Sequence, residues 1–203
     1  MNRNYILLTI LMLVLAVGTL FLTGDDEPKQ ISPDELLQEI IQPTRYVTTD
    51  QVAKMIIQGD PSLLMVDVRS ADEYAEYALP GSLNIPLEEL TNDGNLSYFG
   101  VPGIKVVFIS NDDIRADQTW VLTKRLGING TYVMTGGLNG WMQTIIDPTQ
   151  PNPDAPSVDH ELYAFRKGAQ IFFTGAESAT PEGENVEVQV RRREKTNVAA
   201  GGC

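Results

Sequence analysis

The first hydrophobic pattern along the chain is an unbroken run. Ile6 to Thr23 reads ILLTILMLVLAVGTLFLT, 18 residues without a charge, which is about the length at which a helix can span a bilayer. Arg3 precedes the run, and Asp25, Asp26 and Glu27 come directly after it. A basic residue ahead of such a span keeps the N-terminus in the cytoplasm and places the remainder of the chain outside. The pattern predicts a single-pass transmembrane helix over residues 1–24, with a periplasmic or otherwise extracytoplasmic domain behind it. A cleaved signal peptide is the alternative reading. Ala16 to Gly18 offers a small-x-small site, but cleavage there leaves Leu20, Phe21 and Leu22 on the mature end.

Periodic patterns begin after a short polar linker. Ser32-Pro33-Asp34-Glu35 reads as a helix start, with Ser32 as cap, Pro33 at the first helical position and Glu35 closing a capping box. Leu36, Leu37, Ile40 and Ile41 supply an apolar face, and Pro43 ends it. Thr49 is expected to cap a second helix carrying Val52, Met55 and Ile56. Leu63 to Val66, Val106 to Ile109 and Tyr132 to Met134 are short apolar runs of the kind that form buried parallel strands. Helices are expected between them at 71–77 and 116–126, with extended chain at Ser82–Pro86. Strands alternating with helices at this spacing predict an α/β fold with a mainly parallel sheet. Four prolines between 148 and 156 mark a connector, and residues 159–173 read as a helix with Leu162, Phe165, Ala169 and Phe172 on one side. Val186, Val188 and Val190 alternate with Glu187 and Gln189, an edge-strand pattern.

Composition narrows the chemistry. The chain has 203 residues, a net charge of −12 and one cysteine, Cys203. One thiol forms no internal disulfide, and one thiol with one histidine, His160, makes no Cys/His zinc site. Neither a metal nor a cofactor is expected. The charge is uneven: residues 24–177 carry 23 acids and 10 bases, whereas the last 26 residues are balanced. A domain this acidic is a poor match to nucleic-acid phosphate.

Four segments, in order, carry a resemblance. They are Asp67-Val68-Arg69 with Glu73-Tyr74; Pro80-Gly81-Ser82-Leu83-Asn84-Ile85-Pro86; the strand Val106–Ile109 with the loop ending at Arg115; and Gly136-Gly137-Leu138-Asn139-Gly140-Trp141. Together they cover about residues 46–146, which resemble the rhodanese-like family. The resemblance implies a central, mostly parallel five-stranded sheet flanked by helices. Asp67, Arg69, Glu73, Gly81, Gly136, Gly137 and Trp141 are its structural motif positions, with Arg69 and Glu73 expected to form an ion pair. It also implies sulfur transfer, in which a cysteine after the central strand holds a sulfane sulfur as a persulfide.

The matching loop is Ser110-Asn111-Asp112-Asp113-Ile114-Arg115. Its length fits the family spacing of cysteine, four residues and arginine. Such a loop gathers backbone N–H groups ahead of a helix N-terminus, which favours an anion or a thiolate. Here the nucleophile position holds Ser110, whose hydroxyl carries no sulfane sulfur. Asp112 and Asp113 also oppose an anionic donor, each by roughly 3 kcal/mol at ~5 Å and an effective dielectric near 20. The histidine usual before the Pro-Gly turn is Ala78.

The sequence thus predicts an anchor (1–24), a linker and short helix (25–45), a rhodanese-like domain (46–146), a connector and helix (147–177) and a flexible tail (178–203) ending in Cys203. The expected function is that of an extracytoplasmic binding or accessory module without standard sulfurtransferase activity. Its expected partners are the membrane, through the N-terminal helix, and a protein or a small sulfur anion at the loop. One alternative is a sulfurtransferase or thiol-redox protein that uses Cys203 as its catalytic sulfur carrier. Another is a scaffold within a membrane complex.

Overall fold

The computed structural model describes residues 3–22, 30–92 and 94–175. The readings made for Val186–Val190 and Cys203 lie outside the described residues.

Helix α1 spans Arg3–Leu22. Its side chains are described as far as Gly18, and the large apolar ones are exposed, from 41 % at Ile6 to 70 % at Met12. Among the described residues no helix is long and apolar enough to cross a membrane. The run predicted to do so, Ile6–Thr23, extends past the side chains described.

The domain begins with α2, Pro33–Ile40, started by the predicted capping box of Ser32 and Glu35. Strand β1 (Tyr46–Val47) is next, then α3 (Thr49–Gln58). The cap of α3 is Thr48 rather than Thr49, because Gln51 sits at the position that completes its capping box; Thr49 is already helical and buried. Gly59 stops α3 in the left-handed conformation. Next come β2 (Leu63–Asp67), α4 (Ala71–Glu76), β3 (Leu83–Asn84), β4 (Lys105–Ile109), α5 (Ile114–Arg125), β5 (Thr131–Met134) and α6 (Gly137–Trp141). A π-helical turn, Met142–Ile146, extends α6, and α7 covers Ser157–Thr174.

All four strand pairings are parallel, in the order β1-β5-β4-β2-β3. The core strands β2 and β4 pair residue for residue, Val66 with Phe108 and Asp67 with Ile109. Both faces are covered, which explains why these strands read as continuous apolar runs. One face packs Met65, Val107, Ile109 and Met134 against α3, α6 and α7. The other packs Val66, Phe108 and Val133 against Ala116 and Trp120 of α5. Trp120 and Trp141 are 1 % and 0 % exposed, and His160 is on the surface.

Helix α7 belongs to this core. Ala169 is buried, Phe165 and Phe173 pack beside it, and the Phe173 ring meets Trp141 edge-on at 4.9 Å. The inward row is therefore 165, 169 and 173. Leu162 and Phe172, expected on that side, are 37 % and 57 % exposed. On the opposite face α2 docks on α5: Ile31 and Arg125 exchange hydrogen bonds, and Lys124 pairs with Glu39 at 3.2 Å.

Candidate functional site

The candidate loop lies where a rigid frame holds it. Asp67 ends β2, Ser110 comes just after β4, and Gly136-Gly137 just after β5. All three segments therefore meet at the carboxyl end of the parallel sheet, the usual position for a site in an open α/β fold.

Asp67 and Arg69 anchor the frame. Both are buried, and the guanidinium donates from Nη2 to Asp67 Oδ2 at 2.7 Å and from Nε to Oδ1 at 3.0 Å. Arg69 also donates to the Tyr77 carbonyl and to Asn111 Oδ1, the latter at 3.1 Å. Asn84 donates to the Asp67 and Arg69 carbonyls, both at 3.0 Å. The ion pair expected between Arg69 and Glu73 is thus not the one observed. Arg69 is consumed by Asp67, while Glu73 caps α4 through Ser70. Asn111 joins the two, because its amide also donates to Glu73 Oε1 at 2.7 Å. The Ser70 contacts and the Asn111 amide hold the Glu73 carboxyl below the usual carboxylate range, with help from Arg115.

The loop rests on glycine backbone. Leu138 donates to the Ser110 carbonyl at 2.8 Å and Asn139 to the Asn111 carbonyl at 3.0 Å. Gly137 has φ +53°, and a Cβ there would lie 2.7 Å from the Asp112 oxygen. Only glycine lets the two backbones approach this closely. Gly136 takes the left-handed conformation ahead of α6, and Gly81 has φ +81° in the turn before β3.

Ser110 is 1 % exposed. Its hydroxyl donates to the Asp112 carbonyl and accepts from the Ala116 N–H at 3.2 Å. The loop's own backbone thus engages this hydroxyl on both sides. The acids of the loop also bind backbone N–H groups. Asp112 Oδ1 accepts the Ile114 N–H at 2.9 Å, and Asp113 Oδ1 accepts the Gly136 N–H at 2.6 Å. The first N–H of α5, which an incoming anion would use, is therefore occupied by a carboxylate. Arg115 pairs through Nη2 with the exposed Glu88 at 3.3 Å, while its Nη1 is buried without a hydrogen-bond partner among the described residues.

The structure thus brings together Asp67, Arg69, Glu73, the whole 110–115 loop, Gly136 and Gly137. Trp141 is fully buried in the adjoining core, beside Tyr77, and its indole N–H has no hydrogen-bond partner among the described residues. Gly81 sits in the neighbouring turn before β3. Sequence reasoning missed Asn111 as a bridge, Asn84 as a carbonyl clamp and Glu88 as the partner of Arg115. Asn84 was available as the polar residue inside SLNIP, whereas the partners of Asn111 and Glu88 lie 27 to 42 residues away. Two carboxylates of the loop, Asp112 and Asp113, and two beside it, Glu73 and Glu88, stand against the loop's one cation, Arg115. That balance disfavours a small anion.

The domain that holds this loop is similar in sequence to known proteins. The family model described as a rhodanese-like domain matches residues 48–144. A Drosophila yakuba protein, adenylyltransferase and sulfurtransferase MOCS3, is 31 % identical over 125 residues, which are 58 % of this chain and 26 % of that protein. The mitochondrial thiosulfate sulfurtransferase RDL2 of Saccharomyces cerevisiae is 24 % identical over 108 residues, 48 % of this chain and 72 % of that protein. Among solved structures, a rhodanese-like domain protein from Staphylococcus aureus is 21 % identical, with a TM-score of 0.44, covering 52 % of this chain and 99 % of that one. Residues 48–144 of this chain form a rhodanese-like domain, related to sulfurtransferases.

Proposed function

We propose that the chain is a membrane-anchored, extracytoplasmic rhodanese-like module that binds a partner without standard sulfurtransferase turnover. The observation that carries this reading is the state of Ser110. Its hydroxyl is buried and committed to the Asp112 carbonyl and the Ala116 N–H. A persulfide carrier needs an accessible thiolate in positive surroundings, and this position offers neither. The anchor rests on the uncharged run Ile6–Thr23 and on the exposed apolar side chains of α1. Arg3 ahead of the run favours a cytoplasmic N-terminus.

The test is thiosulfate:cyanide sulfur transfer by the full chain and by its Cys203→Ser variant. Background rates in both are expected. Turnover that disappears with Cys203→Ser would overturn the accessory reading and assign the chemistry to the tail thiol.

A further inference from the structure

The fold has two chemically different poles, set by the direction of its strands. Because all strands are parallel, one pole gathers the segments that enter them and the other the segments that leave. After the inner strands β2, β4 and β5, residues 68–73, 110–115 and 135–139 carry four acids and two arginines, one of which is spent on Asp67. Before the same strands, residues 59–62, 100–105 and 124–130 carry one acid and three bases, of which Lys124 is paired with Glu39 of α2.

The N-terminal segment reaches the domain at this second pole. Ile31 is tied by backbone and guanidinium to Arg125, the last residue of α5. Helix α5 is 12 residues long, so about 18 Å separates that junction from the candidate loop at its other end. Seven residues, 23–29, lie between α1 and Gln30, a contour of ~25–30 Å at most.

The second pole also has the surface a bilayer interface would accept. Its loops are glycine-rich and low in charge, and Val101 is 45 % exposed. A cleft of about 310 Å³ between α3 and the sheet has an apolar floor that includes Val47, Met55 and Tyr132. Lys54 and Lys105 stand at its rim, both exposed and neither in an ion pair among the described residues. Cations at a membrane surface are drawn to anionic headgroups, and acids are repelled.

We infer that the pole formed by the strand N-termini rests against an anionic lipid surface, so that the candidate loop faces the aqueous phase and a water-soluble partner. This inference depends on the anchor proposed above.

The experiment places one fluorophore on the full chain, in a Cys203→Ser background, at Asn129→Cys or at Asp72→Cys. Both positions are exposed and lie at opposite poles. The protein is reconstituted into phosphatidylcholine–phosphatidylserine vesicles containing a headgroup nitroxide lipid, and flotation is measured alongside quenching. Quenching at position 129 is expected to exceed that at position 72 several-fold, and the difference should shrink when phosphatidylserine is omitted. Vesicle-bound protein with equal or reversed quenching would overturn the orientation and leave the anchor standing. Failure to float, or release by high salt, would overturn the anchor and the orientation with it.

Discussion

At the scale of single residues, the domain depends on a few polar groups that have no substitute. Arg69 is the clearest. Removing it leaves the Asp67 carboxylate buried with no counter-charge, since Asp67 is 0 % exposed. Breaking a buried pair from one side costs about 3–5 kcal/mol. Arg69→Ala is expected to lower the unfolding free energy by that amount, read from urea unfolding, and an unchanged midpoint would contradict the pairing. Glu73 gives a pH signature. Its folded pKa lies below its unfolded value, so its contribution is complete above the unfolded carboxylate range and is lost as pH falls through the folded value. The stability gap between wild type and Glu73→Gln should therefore narrow as pH is lowered from neutrality to about 3, read from urea midpoints at each pH. Ser110→Cys alone should leave thiosulfate:cyanide transfer at background, because Asp112 still occupies the Ile114 N–H and the four carboxylates remain. Efficient turnover by that variant would show that the serine is the loop's sole obstacle.

At the scale of elements, the legible parts were those coded by neighbours in sequence. The capping box at Ser32 and the apolar strands β2, β4 and β5 each depend on residues within a few positions. Strand β1 left no pattern because it is two residues long and owes its state to pairing with Val133 and Met134, some 87 residues away. Helix α6 and its π-turn left no pattern, because the helix opens on Gly136-Gly137, poor helix formers placed there by close packing against the loop backbone. Partner choice was the other gap. The family resemblance implied an Arg69–Glu73 pair, but Asp67 is two residues from Arg69 at the end of a buried strand and lies closer. Helix α7 was visible as a helix, yet its inward row is fixed by Trp141. A chain ending at residue 156 should accordingly be less stable than one ending at 175, because Trp141 loses its cover. Phe173→Ala should cost about 1–3 kcal/mol by thermal or urea unfolding, less than a fully buried phenylalanine, since its ring is partly exposed.

At the scale of the whole molecule, the order of elements sets what the domain presents. The N-terminal segment docks at the foot of α5, and the acidic loops crowd the opposite end. A net charge of −12 acts on encounter with partners and is screened by salt over about 8–10 Å. Any charge-steered association at the loop pole should therefore slow as ionic strength rises, measured as an on-rate. The sheet adds a constraint of another kind. Its two outer strands, β1 and β3, have only two residues each. An exposed sheet edge is a template for another chain, and shortness is one way to blunt it. Two residues give a visiting strand too little backbone to zip onto. The domain is thus protected from edge-to-edge polymerisation even when many copies are crowded together.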